Sequence, residues 1–90
     1  MTRVERTDRF NQSIIKNVTS IKLLDYIETL ILNLESIPTL GSAILPDSII
    51  YSFGDKVRKI TCPPFLITYE LFDNDQLVVI YDLIHERQAY

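Results

Sequence analysis

The stretch FLITYELFDNDQLVVIYDLIHERQAY, residues 65–90, decides the fold that we predict for this chain. From Phe65 to Phe72 the side chains alternate with a period of two, which is the pattern of a β-strand. The polar run at 73–75 is a turn, and a second apolar run begins at Leu77. We therefore expect two antiparallel strands joined by a tight turn.

The second of these strands is apolar on both of its faces. Because one face of a half-buried strand is normally polar, this strand is expected to be central in the sheet and covered on both sides. Strict alternation sorts its side chains into Leu77, Val79, Tyr81 and Leu83 on one face and Val78, Ile80 and Ile84 on the other.

Upstream of the hairpin, the period-two pattern at 57–62 predicts a further strand, which ends at Pro63-Pro64 because proline offers no donor to a β-ladder. Two helices are predicted before it. The first is capped by Thr7 or Asp8 and runs through Lys16, and the second is capped by Thr19 or Ser20.

The second helix has a wide apolar stripe, which we expect to pack on a sheet unless a partner covers it. Its members are Ile21, Leu23, Leu24, Ile27, Leu30, Ile31 and Leu34. Pro38 and Gly41 mark the end of this helix. A single helical turn follows the loop 36–46, capped by Asp47 or Ser48 and closed by a left-handed Gly54.

These elements give an α+β prediction for a single domain, 1–90. A short strand at 4–7 comes first, then two helices that pack on one face of the sheet, then a three-stranded antiparallel meander at 57–62, 65–72 and 77–84.

Composition limits the function. The chain has 90 residues and a net charge of −3, with a pI of about 4.9, which disfavours tight nonspecific binding to nucleic acid. We see no secretory signal and no apolar run of membrane-spanning length, and Cys62 is the only cysteine. We therefore expect a cytoplasmic protein without a membrane partner, a disulfide, a metal site or a cofactor.

The second half of the chain resembles the RelE/ParE superfamily, the toxins of type II toxin–antitoxin pairs. The run VRK at 57–59, a break, and then Phe65 followed by Tyr69 are similar to the second and third strands of that superfamily. Residues 78–90 are similar to its last strand and to the His-x-Arg that follows it. The resemblance implies the fold already predicted from the periodicity.

The resemblance also implies a partner and a target. One branch of the superfamily cleaves mRNA on the ribosome, another poisons gyrase without ribonuclease chemistry, and a cognate antitoxin neutralises both. The nuclease branch often has an arginine where this chain has Leu66, and the ending at 85–88 is similar to that of the gyrase poisons. Three functions stay open: a gyrase-type poison, a metal-independent endoribonuclease, and an inactive member that acts by protein binding alone. Plasmid stabilisation would be the biological setting, and a homodimer also stays open.

Candidate site residues follow from the same resemblance. For catalysis they are His85, Arg87 and Tyr90, and for binding a substrate or partner they are Lys56, Arg58, Lys59 and Arg87. Histidine changes charge near neutral pH, and arginine offers a planar fork for a phosphate or a carboxylate. One histidine cannot supply both the base and the acid of RNA cleavage, so Tyr90 or Lys59 would have to assist it.

Each candidate also has a purely structural interpretation. His85 could cap the end of a strand through the backbone, and Arg87 could pair with Glu86 or Asp82 at the surface. Arg58 could be a charge that keeps an edge strand from pairing with another sheet. The remaining aromatic residues of the meander, and Cys62, are expected to be core.

Overall fold

The computed structural model describes residues 2–90, which form four strands and four helices in an α+β arrangement. In chain order they are β1 (Arg3–Arg6), α1 (Asp8–Asn17), α2 (Ile21–Ser36), α3 (Asp47–Phe53), β2 (Arg58–Cys62), β3 (Phe65–Phe72), β4 (Leu77–His85) and α4 (Glu86–Ala89). The predicted class is confirmed, and α4 is the element that the sequence pattern did not predict.

The strands form one mixed sheet in the order β1-β4-β3-β2. β4 runs parallel to β1 and antiparallel to β3, and β2 forms the other edge. The meander and the inner position of β4 are as predicted. The physical reason is the hydrophobic effect. A strand that is apolar on both faces stabilises the folded chain most when both faces are removed from water.

β1 begins and ends one residue earlier than predicted because Thr7 leaves the strand to cap α1. Its hydroxyl oxygen accepts a hydrogen bond from the Phe10 N–H at 3.1 Å and donates to the carbonyls of Ile80 and Tyr81. Asp8 is therefore not the cap. Ser20 caps α2 by accepting from the Leu23 N–H at 3.3 Å.

Only part of the apolar stripe of α2 is buried against the sheet. Ile27 and Leu34 are fully buried on the sheet, whereas Ile21 is exposed and Leu24 is partly exposed. The expectation that the whole stripe packs on the sheet is wrong at its first turn. The sheet is only four strands wide, so one helix face cannot be covered completely.

Two separate cores lie on the two faces of the sheet. The larger one packs α1 and α2 on the sheet, and its buried members are Phe10, Ile27, Leu30, Ile31, Leu34, Ile60, Cys62, Phe65, Ile67, Tyr69, Val78, Ile80 and Leu83. The smaller one packs α3 and α4 on the opposite face around Ile49, Val57, Leu66 and Ala89. The prediction that the two N-terminal helices, α1 and α2, pack on one face of the sheet is confirmed, and α3 and α4 cover the opposite face.

A β-bulge interrupts the pairing of β3 with β4. Thr68 pairs with Asp82 and Tyr69 pairs with Ile80, so Tyr81 is an extra residue on β4. The bulge shifts the alternation of side chains in the remainder of the strand.

Because of this shift, the faces predicted for the last apolar residues of β4 are exchanged. Leu83 lies with Ile80 in the larger core, and Ile84 lies with Tyr81 beside the smaller core. Strict alternation predicted the reverse for both Leu83 and Ile84. A one-residue slip moves every later side chain to the other face, and nothing in the local pattern marks the slip.

α3 is a two-turn helix rather than a single turn. No side chain caps it, and Pro46 occupies the N-cap position, so the predicted cap by Asp47 or Ser48 is wrong. The Ser48 hydroxyl instead donates to the carbonyl of Ala89. Gly54 has φ +92° and ψ 175°, which is outside the left-handed helical region, although the positive φ still favours glycine.

Candidate functional site

His85 is the last residue of β4 and the N-cap of α4. Its Nδ1 accepts a hydrogen bond from the backbone N–H of Arg87 at 3.1 Å, and its ring lies edge-on to Phe65 with 5.5 Å between the ring centroids. A neutral imidazole has one donor and one acceptor nitrogen. Since Nδ1 is the acceptor in this cap, the proton of the neutral ring is on Nε2.

A shallow groove of about 410 Å³ lies beside this histidine and is called the terminal groove here. It is lined by Asn17 from the end of α1, Phe65 from the start of β3, and His85, Arg87 and Gln88 from the chain end. The terminal groove therefore combines one aromatic ring, two amides, an imidazole and a guanidinium. That set can donate hydrogen bonds to a carboxylate or a phosphate.

Arg87 is the exposed cation of the terminal groove. Within residues 2–90 no carboxylate lies at ion-pair distance from it, so the predicted surface pair with Glu86 or Asp82 is not formed. The other proposed partner, Asp82, is buried and bonded elsewhere. Arg87 is therefore available to an external anion.

Lys59 and Tyr90 form a second pair on the opposite face of the sheet. The Lys59 Nζ donates to the Tyr90 hydroxyl at 2.7 Å. Nζ also lies 5.3 Å from the centre of the tyrosine ring, but it is at the hydroxyl end, so this contact is a hydrogen bond rather than an attraction to the ring face. Alternation along β2 puts Lys59 with Val57 on the α3 and α4 face, away from Ile60 and the larger core.

Arg58 points to the α2 face and holds the loop that follows α2. Its Nη2 donates to the carbonyls of Thr39 and Gly41 at 3.1 and 2.6 Å. The Tyr69 hydroxyl joins this loop by accepting from the Gly41 N–H at 2.7 Å and donating to the carbonyl of Pro38 at 3.0 Å. Burial raises the pKa of the Tyr69 hydroxyl, and the bond from Gly41 and the charge of Arg58 partly oppose that rise.

Gly41 is required by this arrangement. A Cβ at this position would lie 2.5 Å from the carbonyl oxygen of Lys59 and 2.7 Å from the Tyr69 hydroxyl. The close approach allows the backbone of Ser42 to pair with Lys59 through two hydrogen bonds of 2.8 and 2.9 Å. Arg58, which is half-buried, and Tyr69, which is fully buried, therefore stabilise the loop.

The sheet therefore separates the residues that the sequence grouped together. His85 and Arg87 meet in the terminal groove, whereas Lys59 and Tyr90 meet on the other face. Arg58 shares a face with His85, but their partners on β3, Tyr69 and Phe65, are four residues apart. At roughly 3.3 Å per residue this offset alone is about 13 Å. Lys56 is exposed in the turn before β2, farther along the same direction.

Sequence reasoning did not identify the polar cluster at the bulge. The carboxylate of Asp82 accepts from the Ser13 hydroxyl at 2.6 Å, from the Leu83 N–H at 2.8 Å and from the Arg9 Nε at 2.9 Å. The Arg9 guanidinium also lies 5.2 Å from the ring centre of Phe53. The sequence feature that could have indicated this cluster is a carboxylate in the middle of an apolar strand. A buried carboxylate needs hydrogen-bond or ionic partners.

Three further observations concern a metal site, a membrane span and Leu66. Within the described chain, no cluster of three or more histidine, cysteine or acidic residues is placed to hold a metal ion. No helix in residues 2–90 is both long and apolar enough to cross a membrane. Leu66, where the nuclease branch often has arginine, is buried in the smaller core.

The fold is that of the RelE/ParE class of small toxins, with a helical hairpin on one face of the sheet and a His-x-Arg sequence after its inner strand. A solved structure of a YafQ mutant from E. coli matches all of this chain and 99% of its own, with a TM-score of 0.56 and 17% sequence identity. At that identity the likeness shows the fold alone. No curated protein sequence matches the chain.

The family model described as "ParE toxin of type II toxin-antitoxin system, parDE" matches residues 4–90. The chain therefore belongs to the ParE toxin family of type II toxin–antitoxin systems. Membership of this family implies an antitoxin as a protein partner.

Proposed function

We propose that this toxin is a cytoplasmic poison that acts by binding a protein target, with gyrase as the first candidate, and without ribonuclease chemistry. The observation that carries the proposal is the hydrogen bond from the Arg87 N–H to Nδ1 of His85. It leaves a neutral His85 with its proton on Nε2, so this nitrogen is a donor and not a base.

The surroundings of His85 support the same proposal. Removal of the proton from a ribose 2′-hydroxyl needs a base, and a second group must protonate the leaving oxygen. Lys59 and Tyr90, the groups that the sequence offered as assistants, are bonded to each other on the face of the sheet opposite the terminal groove. The terminal groove offers donors and a free guanidinium, which suit a carboxylate on a protein surface.

Ribosome-dependent mRNA cleavage is the second candidate, and the terminal groove is the observation that favours it. The groove is lined by an imidazole and an unpaired arginine, together with Phe65. A phosphate is as good an anion for Arg87 as a carboxylate is. In this alternative Nε2 of His85 would donate to a phosphate or to the leaving group.

The test is induction of the chain in bacteria without its antitoxin, with growth and transcript 5′ ends followed together. The proposal expects growth arrest without new codon-aligned 5′ ends. It also expects that the purified chain inhibits plasmid supercoiling by gyrase in vitro. New ends in a constant codon register, with unimpaired supercoiling, would show that the nuclease candidate is correct.

Substitutions in the terminal groove make the test specific. Arg87→Ala should weaken the arrest, because it removes the only free guanidinium of the groove. Arg3→Ala is the matched control, since Arg3 is an exposed arginine on β1 whose side chain forms an ion pair with the exposed Glu5. His85→Asn keeps a side-chain cap acceptor and removes the imidazole, so it should retain most of the toxicity. Complete loss of toxicity in His85→Asn with an intact fold would contradict the proposal.

A further inference from the structure

The free edge of β1 has unpaired backbone groups. The N–H groups of Arg3 and Thr7 bond carbonyls on the β4 side at 2.9 and 3.1 Å. The direction of backbone groups alternates along a strand, so the N–H and carbonyl groups of Val4 and Arg6 point away from β4. Within residues 2–90 these outward groups bond no other residue, and β1 is the last strand on this side of the sheet. This edge can therefore accept another strand.

The charges of β1 are arranged symmetrically about Val4. Arg3 and Glu5 flank it on the face away from α2, with 70% and 55% of their side chains exposed and 3.4 Å between Nε and Oε1. Charged side chains on an edge strand usually keep it from pairing with other strands. Here, however, the two charges have opposite signs and lie at equal distances from the central residue. An antiparallel copy of the same strand is therefore electrostatically complementary to it.

The charges also select one register for that pairing. When Val4 of one copy lies opposite Val4 of a second copy, Arg3 of each lies opposite Glu5 of the other. A shift of two residues in one direction places Arg3 opposite Arg3, and a shift in the other direction places Glu5 opposite Glu5. Like charges directly opposite each other are destabilising. A shift of one residue would bring outward backbone groups against inward ones, so only the register centred on Val4 satisfies both conditions.

The helix α2 adds an apolar side chain beside the same edge. The carboxylate of Glu28 binds the guanidinium of Arg6, and the carbonyl of Glu35 accepts from the Thr2 N–H at 3.3 Å. These contacts place the helical row 28, 32 and 35 along β1. Leu32 is in the middle of this row and is 61% exposed. A two-fold axis through the centre of the paired strands would bring the two Leu32 side chains to the same side of the joined sheet.

We propose that two copies of this chain associate through antiparallel pairing of their β1 strands, with Val4 opposite Val4, so that two sheets of four strands become continuous. The two Val4 residues exchange N–H to carbonyl hydrogen bonds, and the N–H of Arg6 in each copy donates to the carbonyl of Thr2 in the other. Arg3 pairs with Glu5 on one face, and the two Leu32 side chains lie on the other.

The proposed dimer leaves the terminal groove open. Val4 pairs with Val78, and His85 lies seven residues further along β4. At roughly 3.3 Å per residue, this separation is about 20 Å. The contact joins two short strands and one exposed side chain from each α2, so it is small and we expect a Kd in the micromolar range or weaker. The proposal depends neither on the mechanism of toxicity nor on the antitoxin.

The test measures self-association of the purified chain by sedimentation velocity over a range of concentrations. Arg3→Glu and Glu5→Arg should each weaken the dimer by about tenfold or more, because each change sets like charges opposite each other twice. Lys22→Glu is the matched control. It changes the net charge as Arg3→Glu does, but Lys22 is an exposed residue of α2 outside the row along β1, so the Kd should not change.

Mixing the two charge-reversal variants separates a specific pairing from a general charge effect. An equimolar mixture of Arg3→Glu and Glu5→Arg should form a heterodimer, because every opposite pair again has opposite signs. The double variant Arg3→Glu/Glu5→Arg should self-associate as the unmodified chain does. An unmodified chain that stays monomeric at every concentration overturns the proposal. A mixture that associates no more tightly than the separate variants also overturns it.

Hydrogen exchange on the unmodified chain gives a second readout that does not depend on a variant folding. The Val4 and Arg6 amides should exchange rapidly in dilute solution and become protected as the concentration rises through the Kd. High salt should reduce this protection, because exposed ion pairs are screened. A dimer in which both amides stay unprotected overturns the proposal, and so does protection confined to β2, which would assign self-association to the other edge.

Discussion

At the scale of single residues, His85 shows how a candidate catalytic group can be held by its own backbone. Its Nδ1 caps a one-turn helix, and its ring packs against Phe65. A cap contributes stability because it satisfies an N–H that the first turn of a helix leaves without a partner. The residue is therefore structural in this position whatever else its second nitrogen does.

The cap predicts different effects for two substitutions of His85. His85→Ala should release α4, at a cost of about 0.5–2 kcal/mol in local stability, because the Arg87 N–H loses its acceptor. His85→Asn should retain most of that stability, since asparagine is among the best N-cap residues. Hydrogen exchange of the Ala89 and Tyr90 amides measures this opening, and equal exchange in the two variants would show that the cap is not the cause.

At the scale of elements, Asp82 stabilises the bulge of β4 by binding groups from α1 and from the strand itself. β1 pairs with β4 only as far as Ile80. Beyond that point, β4 is contacted by the hydroxyl of Thr7, the cap of α1, and by the hydroxyl of Ser13 within α1. The carboxylate of Asp82 satisfies the Leu83 N–H next to the bulge. The side chain of Asp82 is 9% exposed, whereas that of Arg9 is 66% exposed, so the two partners of this ion pair should not contribute equally.

We predict that Asp82→Ala lowers the free energy of unfolding by about 2–3 kcal/mol, because it leaves a buried N–H and a hydroxyl without partners. Arg9→Ala should cost less than about 1 kcal/mol, since an exposed cation contributes little. Urea denaturation of both variants beside Arg3→Ala compares them directly. A cost for Arg9→Ala as large as that for Asp82→Ala would mean that the ion pair, and not the bulge, is what the carboxylate stabilises.

At the scale of the whole molecule, a chain of 90 residues divides its apolar residues between two cores. A domain of this size buries only about 60–65% of the surface of its unfolded chain, so its stability margin is small. Titratable groups in either core therefore affect the whole molecule. Burial raises the pKa of the Cys62 thiol, and burial followed by the charge of Glu70 raises the pKa of the Tyr81 hydroxyl.

These shifts predict a loss of stability at alkaline pH. For Cys62, Tyr69 and Tyr81 the folded chain keeps a proton that the unfolded chain releases near its ordinary pKa of 9.0 for the thiol or 10.0 for the hydroxyls. The contribution to stability is complete below pH 9 and falls as the pH rises through the raised values of the folded state.

The urea midpoint measured between pH 8 and 11 tests this prediction. Tyr81→Phe should give a shallower decline than the unmodified chain, because one of the three protons no longer takes part. Tyr51→Phe is the control, since Tyr51 is 93% exposed. A decline that is identical in the two variants would show that Tyr81 does not contribute.

Much of the fold follows from periodicity and turn chemistry in particular segments. The turn at 73–75 is built from three residues with positive φ, which aspartate and asparagine tolerate better than most residues. β4 was predicted as an inner strand because it is apolar on both faces, and it is one. The exchange of Leu83 and Ile84 was not predictable, because a bulge depends on the register with β3 and not on the sequence of β4 alone.

The sequence suggested candidate residues for the site, but it did not show how they are arranged in space. The order of the elements and the ending with His85 and Arg87 indicated the family, which the match over residues 4–90 confirms. The sequence did not show which cations lie close together in space, because neighbouring residues of a strand point to opposite faces of the sheet. Arg58 and Lys59 are adjacent in the chain, yet one binds carbonyls of a loop and the other binds Tyr90.

By itself, the sequence determined the class of fold, the inner strand and the residues at the chain end, because periodicity, caps and turns are local properties. The tertiary structure decided which of those residues meet. It joined His85 and Arg87 in one groove and put Lys59 and Tyr90 on the other face. The physical reason is that strand register, the bulge and the covering of each face are set by contacts between segments far apart in the chain.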